Sequence, residues 1–146
     1  PTHQTLALRR SGSMVIPNSS DLMHWEIGDH GFAMGLSPLV PETVGAALLP
    51  WLRDWLKDQS IDLEAVASWA VHPGGPRILS TCAEVLSLGP DHLRESRGIL
   101  QDHGNMSSAT ILFILDRLRR RSTPGPCLAL AFGPGLSAEV ALFDFQ

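Results

Sequence analysis

Two polar residues, His72 and Asn105, stand where a ligand could be held and activated. His72 directly follows the apolar run 65–71 and precedes a Pro-Gly-Gly-Pro turn, and Asn105 precedes the apolar segment 109–115. In open α/β sheets, ligands collect outside the carboxyl ends of strands. An imidazole and a carboxamide that converge there can donate two hydrogen bonds to one thioester oxygen and stabilise an enolate or a tetrahedral oxyanion. The imidazole can also pair with a thiolate and lower its pKa, so the sequence contains two members of a Cys-His-Asn site.

Each of these residues also has a simpler explanation. Asn105 could serve only as the N-cap of the next helix, with Ser107 and Ser108 in its first turn, because Asn is a preferred capping residue. A lone histidine in a turn-rich loop, such as His72, is more often structural. A shared site is favoured by the spacing, since both residues precede helices and stand 33 positions apart (105 − 72), one structural unit of the sheet.

Neither cysteine is expected to supply the thiol of such a site. Cys82 falls on the apolar face of a predicted helix and Cys127 at a strand start, so both are predicted to be buried small apolar residues. Reactive thiols need a polar, electropositive setting, which neither has in its sequence neighbourhood. The chain has no C-x-x-C or H-x-x-x-H pattern, so we expect no metal site.

Composition and charge indicate one ordinary folded domain. The 146 residues include 18% charged and 44% hydrophobic ones, which argues against disorder. Acidic residues outnumber basic ones by 15 to 11, and the basic run Arg119–Arg121 follows an apolar helix, where cations are favoured, so nucleic acid is not an expected partner. No apolar run approaches the roughly 20 residues that span a bilayer. Since Pro1–Gln4 does not begin a signal peptide, we expect a cytoplasmic protein without membrane contact.

Apolar periodicity and turn residues predict alternating strands and helices followed by two strands. This order favours an α/β layer, a mixed sheet with packed helices. Pro50 should kink the first helix or mark a restart, and the polar stretch 92–102 is predicted only as a connection. The predicted strands are 5–8, 13–16, 32–36, 65–71, 127–132 and 138–145, and the predicted helices are 41–58, 76–88 and 105–121, with a loop at 122–126.

Three segments resemble the type III polyketide synthases, the chalcone and stilbene synthase family: Trp69–Pro76, Gly104–Ala109 and Phe132–Leu136. Their order, spacing and position match, and the resemblance covers essentially the whole chain. Gly28–Phe32 is similar to the bacterial branch of the family. Ketoacyl-carrier-protein synthases also use His and Asn, but they usually carry His-Gln-Ala-Asn where this chain has His-Pro-Gly-Gly at 72–75.

The resemblance implies the C-terminal half of a thiolase-like fold. Residues 1–20 would be the tail end of the N-terminal half, including its last strand, and residues 21–146 the C-terminal domain. His72 would be the base and thiolate partner, and Asn105 the oxyanion partner in the decarboxylation of malonyl-CoA. The nucleophilic cysteine would lie in the missing N-terminal half, so we expect this half alone to be inactive.

The remaining expected site residues also rest on the resemblance. Phe32 resembles the gatekeeper aromatic between a CoA tunnel and the cavity, although Phe is more often a core residue. Gly133, Pro134 and Gly135 would shape the cavity floor, although this sequence is also typical of a turn. The CoA arm would pass Gly74, Gly75 and Arg77, the last replacing a small residue common in the plant enzymes.

The expected partners are acyl-CoA and malonyl-CoA as substrates, the missing half, and a second copy in a homodimer when full length. The reaction would be a decarboxylative Claisen condensation of malonyl-CoA onto a starter acyl-CoA, an acyltransferase activity without a cofactor. Two alternatives stay open: a non-catalytic interaction domain that keeps the fold, and a ketoacyl-carrier-protein synthase.

Overall fold

The computed structural model describes residues 5–121 and 123–145, which form six strands and four helices. Predictions that fall on residues 1–4, 122 and 146 lie outside the described residues. The strands are β1 (Leu6–Val15), β2 (Met23–Gly28), β3 (Gly31–Leu36), β4 (Ser68–Val71), β5 (Pro126–Gly133) and β6 (Ser137–Phe145). The helices are α1 (Val40–Lys57), α2 (Pro76–Val85), α3 (Arg94–His103) and α4 (Ala109–Arg121).

The main sheet is mixed, as the sequence predicts. Its strand order is β1-β6-β5-β4, in which β4 and β5 are parallel and the other neighbours are antiparallel. The parallel pair is connected through α2, α3 and α4, the kind of crossover that parallel strands require. As a result, β4 and β5 present their carboxyl ends at the same edge.

Alternation along the strands gives the sheet two buried faces. Trp69 and Val71 of β4 pack into a core with α1 and α2, whereas Ala70 between them packs into a second core with α3 and α4. The last strand is covered on both faces, because Leu142 lies in the first core and Ala141 packs against the second. Helices on both faces leave the strand ends as the accessible part of the sheet.

The first strand is longer than predicted. Residues 6–15 pair with β6 throughout, with a bulge between Leu8 and Arg10, whereas the sequence predicts two short strands. Residues 9–13 in its middle are polar or glycine, so the sequence lacks the alternation of apolar residues that would predict one continuous strand. Glycine is needed at position 12 because a Cβ would collide with the indole of Trp55. β1 is thus an edge strand of the same sheet as β6, and no structural break marks residue 20. The assignment of residues 1–20 to a preceding half stays a prediction.

Helix α1 continues through Pro50, where the sequence predicts a kink or a restart. Pro50 removes one backbone donor but lies on the exposed side of the helix. Val44, Leu48, Leu52 and Leu56 are fully buried on the opposite side, on both sides of the proline along the chain. This continuous apolar stripe holds the two parts of the helix together.

Several elements differ from the predictions: β2 was not predicted as a strand, and α2 ends at Val85 rather than at residue 88. The polar stretch 92–102 is largely helical, as α3, and was missed because only Ser96 and Ile99 of this helix are buried. β4 covers only residues 68–71, and a short 3₁₀ turn at Leu63–Ala65 precedes it. α4 begins at Ala109 rather than just after Asn105.

The strands β2 and β3 form a separate hairpin beside the main sheet. Two backbone hydrogen bonds hold its base: the N–H of Ser37 donates to Leu22 (2.8 Å) and the N–H of Gly135 donates to Met23 (2.7 Å). The second bond joins the hairpin to the β5–β6 turn. The hairpin therefore stands next to the carboxyl ends of β4 and β5.

Candidate functional site

A cavity of about 510 Å³ lies between the hairpin and the strand ends, and both His72 and Asn105 line it. Its wall on the hairpin side is apolar, whereas its polar side includes Ser37 and Ser107 as well. A mostly apolar cavity with a few convergent polar groups is typical of small-molecule sites. The polar side chains decide what it can bind, so their positioning is described first.

His72 is held at the end of β4 by the sheet itself. It is the first residue beyond the strand, and its N–H donates to the carbonyl of Leu130 on β5 at 2.8 Å. Burial lowers the pKa of His72 below its usual value of 6.5. The imidazole is therefore neutral at neutral pH, with one nitrogen able to accept a proton and the other able to donate one.

Asn105 is positioned by its loop rather than by a helix. Its Oδ1 accepts the N–H of Ser107 at 2.9 Å, and Ser107 has a left-handed backbone conformation (φ 58°). The N–H of Met106 donates to Oγ1 of the buried Thr110 at 2.8 Å, which ties the loop to α4. Since α4 starts at Ala109, the expectation that Ser107 and Ser108 form its first turn is wrong.

These contacts orient the carboxamide of Asn105. With Oδ1 occupied by Ser107, the Nδ2 group is the one that faces the strand end, where it donates to the carbonyl of Gly74 at 3.4 Å. That distance is long for a hydrogen bond, and Nδ2 carries a second hydrogen, so it retains donor capacity for a ligand.

Gly74 connects the two polar residues through its backbone. Its N–H donates to the carbonyl of His72 at 3.1 Å, and its carbonyl accepts from Asn105. His72 and Asn105 therefore line one cavity, with their loops joined through Gly74. Their chemical roles stay predictions.

Other predicted site residues divide into two groups. Gly74, Gly75, Arg77 and Pro134 line the same cavity. Gly133 and Gly135 belong to the adjoining end of β5 and its turn and do not line it, although Gly135 holds the base of the hairpin.

Phe32 also lies outside the cavity lining. Its side chain is 71% exposed and packs edge-to-face against Trp25, with ring centroids 6.4 Å apart. The resemblance assigns Phe32 to a position between a tunnel and the cavity. In this structure Phe32 does not line the cavity, whereas Met34, two residues along β3, does.

The sequence analysis missed the apolar wall. Met23 and Trp25 of β2 and Met34 and Leu36 of β3 line the cavity, and Phe132 closes it from β5. Apolar residues at every second position of both strands were a signal for this face.

The two cysteines are buried, as predicted. Cys82 lies in α2 and Cys127 in β5, and burial raises the pKa of each thiol to about 12. Neither lines the cavity. Within residues 5–121 and 123–145, no group of three or more His, Cys, Asp or Glu residues could hold a metal ion, and no helix is long and apolar enough to cross a membrane.

Comparison with known proteins connects this geometry to one family. The family model described as chalcone and stilbene synthases, C-terminal domain, matches residues 7–144. The 1,3,6,8-tetrahydroxynaphthalene synthase of Streptomyces coelicolor is 35% identical over 95% of the chain. Two solved structures superpose well: PKS-I from the brown alga Ectocarpus siliculosus (TM-score 0.91, 27% identity, 97% of the chain), and the C-terminal type III polyketide synthase domain of Steely1 from Dictyostelium (TM-score 0.85, 28% identity, 96% of the chain).

These relatives are much longer than the chain. It spans 38% of the Streptomyces synthase and 40% of each of the two structures. The similarity therefore concerns one part of a larger type of protein.

Proposed function

The chain belongs to the chalcone and stilbene synthase family, as the C-terminal domain of a type III polyketide synthase with a thiolase-like fold, and from this premise we propose that it supplies two polar groups of a condensing site. In this proposal, His72 and Asn105 act on CoA thioesters in a decarboxylative Claisen condensation. The observation that carries it is that both side chains line one cavity with their loops joined through Gly74.

The donor arrangement supports stabilisation of an oxyanion. A thioester oxygen between the imidazole and the carboxamide would receive one hydrogen bond from each. Such donors act mainly when charge develops on the oxygen, and removal of one typically costs about a hundredfold to a thousandfold in rate. The apolar wall strengthens these bonds because it excludes water.

The proposed condensation needs three protein groups: His72, Asn105 and one cysteine thiol. A neutral His72 accepts the proton of the cysteine, the thiolate attacks the starter acyl-CoA, and the leaving CoA thiolate takes the proton from the imidazolium of His72. Malonyl-CoA then loses its carboxylate as CO₂, and the electron pair of the broken C–C bond forms an enolate whose oxygen is held by His72 and Asn105. The enolate carbon attacks the cysteine-bound thioester, so that a C–C bond forms and the C–S bond breaks. No cofactor is needed, because the thioesters supply the activated carbon.

The nucleophile is proposed to come from the N-terminal half of the family's fold, beyond the part of the relatives that this chain spans. Cys82 and Cys127 are unsuitable, since both thiols are buried and have raised pKa values. We propose that the complete protein is a cytoplasmic homodimer and that the 146 residues alone are inactive.

Substitution of His72 in the complete gene product tests the proposal. His72→Ala should abolish condensation of acyl-CoA with malonyl-CoA, measured as product by mass spectrometry, because the thiolate loses its partner and the oxyanion one donor. His92→Ala is the matched control, since His92 is an exposed histidine away from the cavity. Near-normal product formation by His72→Ala would refute the role.

The same assay separates the alternatives. Condensation that requires malonate on an acyl carrier protein would indicate a ketoacyl-carrier-protein synthase, and no thioester turnover by the complete protein would indicate an interaction domain. Turnover of malonyl-CoA by the 146 residues alone would contradict their proposed inactivity.

A further inference from the structure

Helix α3 connects the two polar residues of the candidate site. Its first turn contacts the end of β4, directly before His72, and its last residue, His103, is followed by Gly104 and Asn105. The N–H of Gly104 donates to the carbonyl of Leu100 at 3.0 Å, and the positive φ of Gly104 (72°) turns the chain out of the helix. α3 therefore has one end at each of the two site residues.

Ser96 makes the contact between α3 and the strand end. The N–H of Val71, the last residue of β4, donates to Oγ of Ser96 at 3.1 Å, and both residues are fully buried. The next N–H along the chain, that of His72, points the other way, to Leu130 of β5. Since β4 is an edge strand of the described sheet, the hydroxyl of Ser96 takes the place of a neighbouring strand for Val71. A buried N–H without an acceptor is costly, so this hydroxyl fixes where the strand ends.

Packing alone does not explain a serine at position 96. α3 buries two residues, Ser96 and Ile99, and Ile99 supplies the apolar contacts with the second core. Alanine would fill nearly the same volume as serine without a polar group, and it is also the better helix former. The feature that serine adds is an acceptor for the backbone N–H that precedes His72.

Helix α4 holds α3 from its other side. Near the C-terminal end of α3, Asp102 accepts from Arg117 at 2.6 Å, and in the first turn Glu95 accepts from Arg121 at 2.9 Å. Gly98, between them, leaves room for Arg117, because a Cβ there would lie 2.7 Å from a guanidinium nitrogen. α3 is thus tied to α4 at both ends, and its length sets the spacing between the strand end and the loop that follows α3.

We propose that Ser96 is a positioning residue, which sets the distance between the imidazole of His72 and the carboxamide of Asn105 by holding the end of β4. This inference rests on the proposed function, since the spacing matters when both groups act on one thioester oxygen. Each donor must lie about 2.7–3.1 Å from that oxygen to stabilise it. A shift of the strand end by about 1 Å would take the imidazole out of range, and a misplacement of that size costs about a hundredfold in rate.

Ser96→Ala in the complete gene product tests the proposal. Alanine leaves the N–H of Val71 without its acceptor, so the strand end and His72 shift. Because Ser96 does not line the cavity, the KM for malonyl-CoA should stay within about twofold, while kcat for its decarboxylation falls about tenfold to a hundredfold. Ser68→Ala is the matched control, since Ser68 is a buried serine at the other end of the same strand, and it should change neither value.

A pH profile reports on the imidazole itself. The rate at which iodoacetamide inactivates the complete protein follows the thiolate fraction of the proposed nucleophilic cysteine, and pairing with His72 would hold the pKa of that thiol below its usual value. Ser96→Ala should move the midpoint of this profile upward, whereas a loss of stability alone would leave it in place. Ser96→Thr keeps a hydroxyl and should bring kcat and the midpoint back toward those of the unsubstituted protein.

The variants separate this inference from the proposed function. If Ser96→Ala keeps its kcat and its pH midpoint, if its effect is confined to KM, or if Ser96→Thr loses as much kcat, the inference is overturned while the proposed function stands. Near-normal condensation by His72→Ala overturns both. Thermal unfolding checks that each variant folds. If Ser96→Ala does not fold, hydrogen exchange of the unsubstituted protein decides: the amide of Val71 should be protected as strongly as that of His72, and faster exchange at Val71 overturns the inference.

Discussion

Substitution of Asn105 by aspartate separates catalysis from loop positioning. Aspartate keeps an oxygen at the position of Oδ1, so the hydrogen bond from the N–H of Ser107 (2.9 Å) is retained. It replaces Nδ2 by a second oxygen, which removes the donor and puts negative charge where the oxyanion would form. Asn105 is exposed and the bond from Nδ2 to Gly74 that aspartate loses is long (3.4 Å), so the free energy of unfolding should fall by about 0.5 kcal/mol, the low end for a hydrogen bond.

The expected rate effect follows from the lost donor. Removing one oxyanion donor costs about a hundredfold to a thousandfold, or about 2.7–4 kcal/mol of transition-state stabilisation, and the added charge makes this a lower bound. The assay is decarboxylation of malonyl-CoA by the complete gene product, measured as CO₂ release. Transfer of the starter to the cysteine provides an internal comparison, because we assign Asn105 to the decarboxylation step.

Asn105→Ala is the companion variant. It removes the donor and also the acceptor for Ser107, so it should destabilise the loop by about 0.5–1.5 kcal/mol in addition to lowering the rate. If aspartate at this position decarboxylates malonyl-CoA within a few-fold of the unsubstituted protein, the carboxamide is not an oxyanion donor. Asn105 would then act only in holding the loop.

Two further predictions concern the partly buried His72 and the two buried cysteines. The pKa of His72 is below 6.5 in the folded state, so the unfolded state binds its proton first as the pH falls. This residue should therefore lower the free energy of unfolding as the pH falls below 6.5 and have no such effect above it. Urea unfolding of the unsubstituted chain and of His72→Gln should differ in pH slope only in that range, and parallel profiles would contradict the assigned burial. Cys82 and Cys127, whose pKa values are raised to about 12, should resist a thiol reagent near neutral pH in the native chain and react in urea, whereas rapid labelling of the native protein would show an accessible thiol.

Strong periodicity made most of the fold predictable. The apolar stripes of α1 and α2 and the pair β5 and β6 were recognised because their side chains face a core at regular intervals. α3 was not, since a helix that buries only Ser96 and Ile99 carries almost no periodic signal. β1 was divided because its middle residues are held by pairing with β6 and by Trp55 over Gly12, contacts that lie far away in sequence.

The two polar residues of the site were predictable for a related reason. His72 and Asn105 both follow from topology, since the ends of successive units of a sheet meet at one edge. The structure adds that Asn105 is oriented by Ser107 and Thr110 through loop contacts, not by a helix N-terminus. In either arrangement Oδ1 accepts a backbone N–H and Nδ2 stays a donor, and here Nδ2 donates to the carbonyl of Gly74 at 3.4 Å.

The apolar wall shows where local sequence was insufficient. Phe32, Met34 and Leu36 occupy one face of β3, and nothing in their pattern indicates which of them is close enough to the strand ends to line the cavity. That is decided by the base of the hairpin, which is fixed by the bond from Gly135 to Met23, a contact across 112 positions (135 − 23). Distance from this anchor puts Met34 inside the cavity and Phe32 at its outer margin.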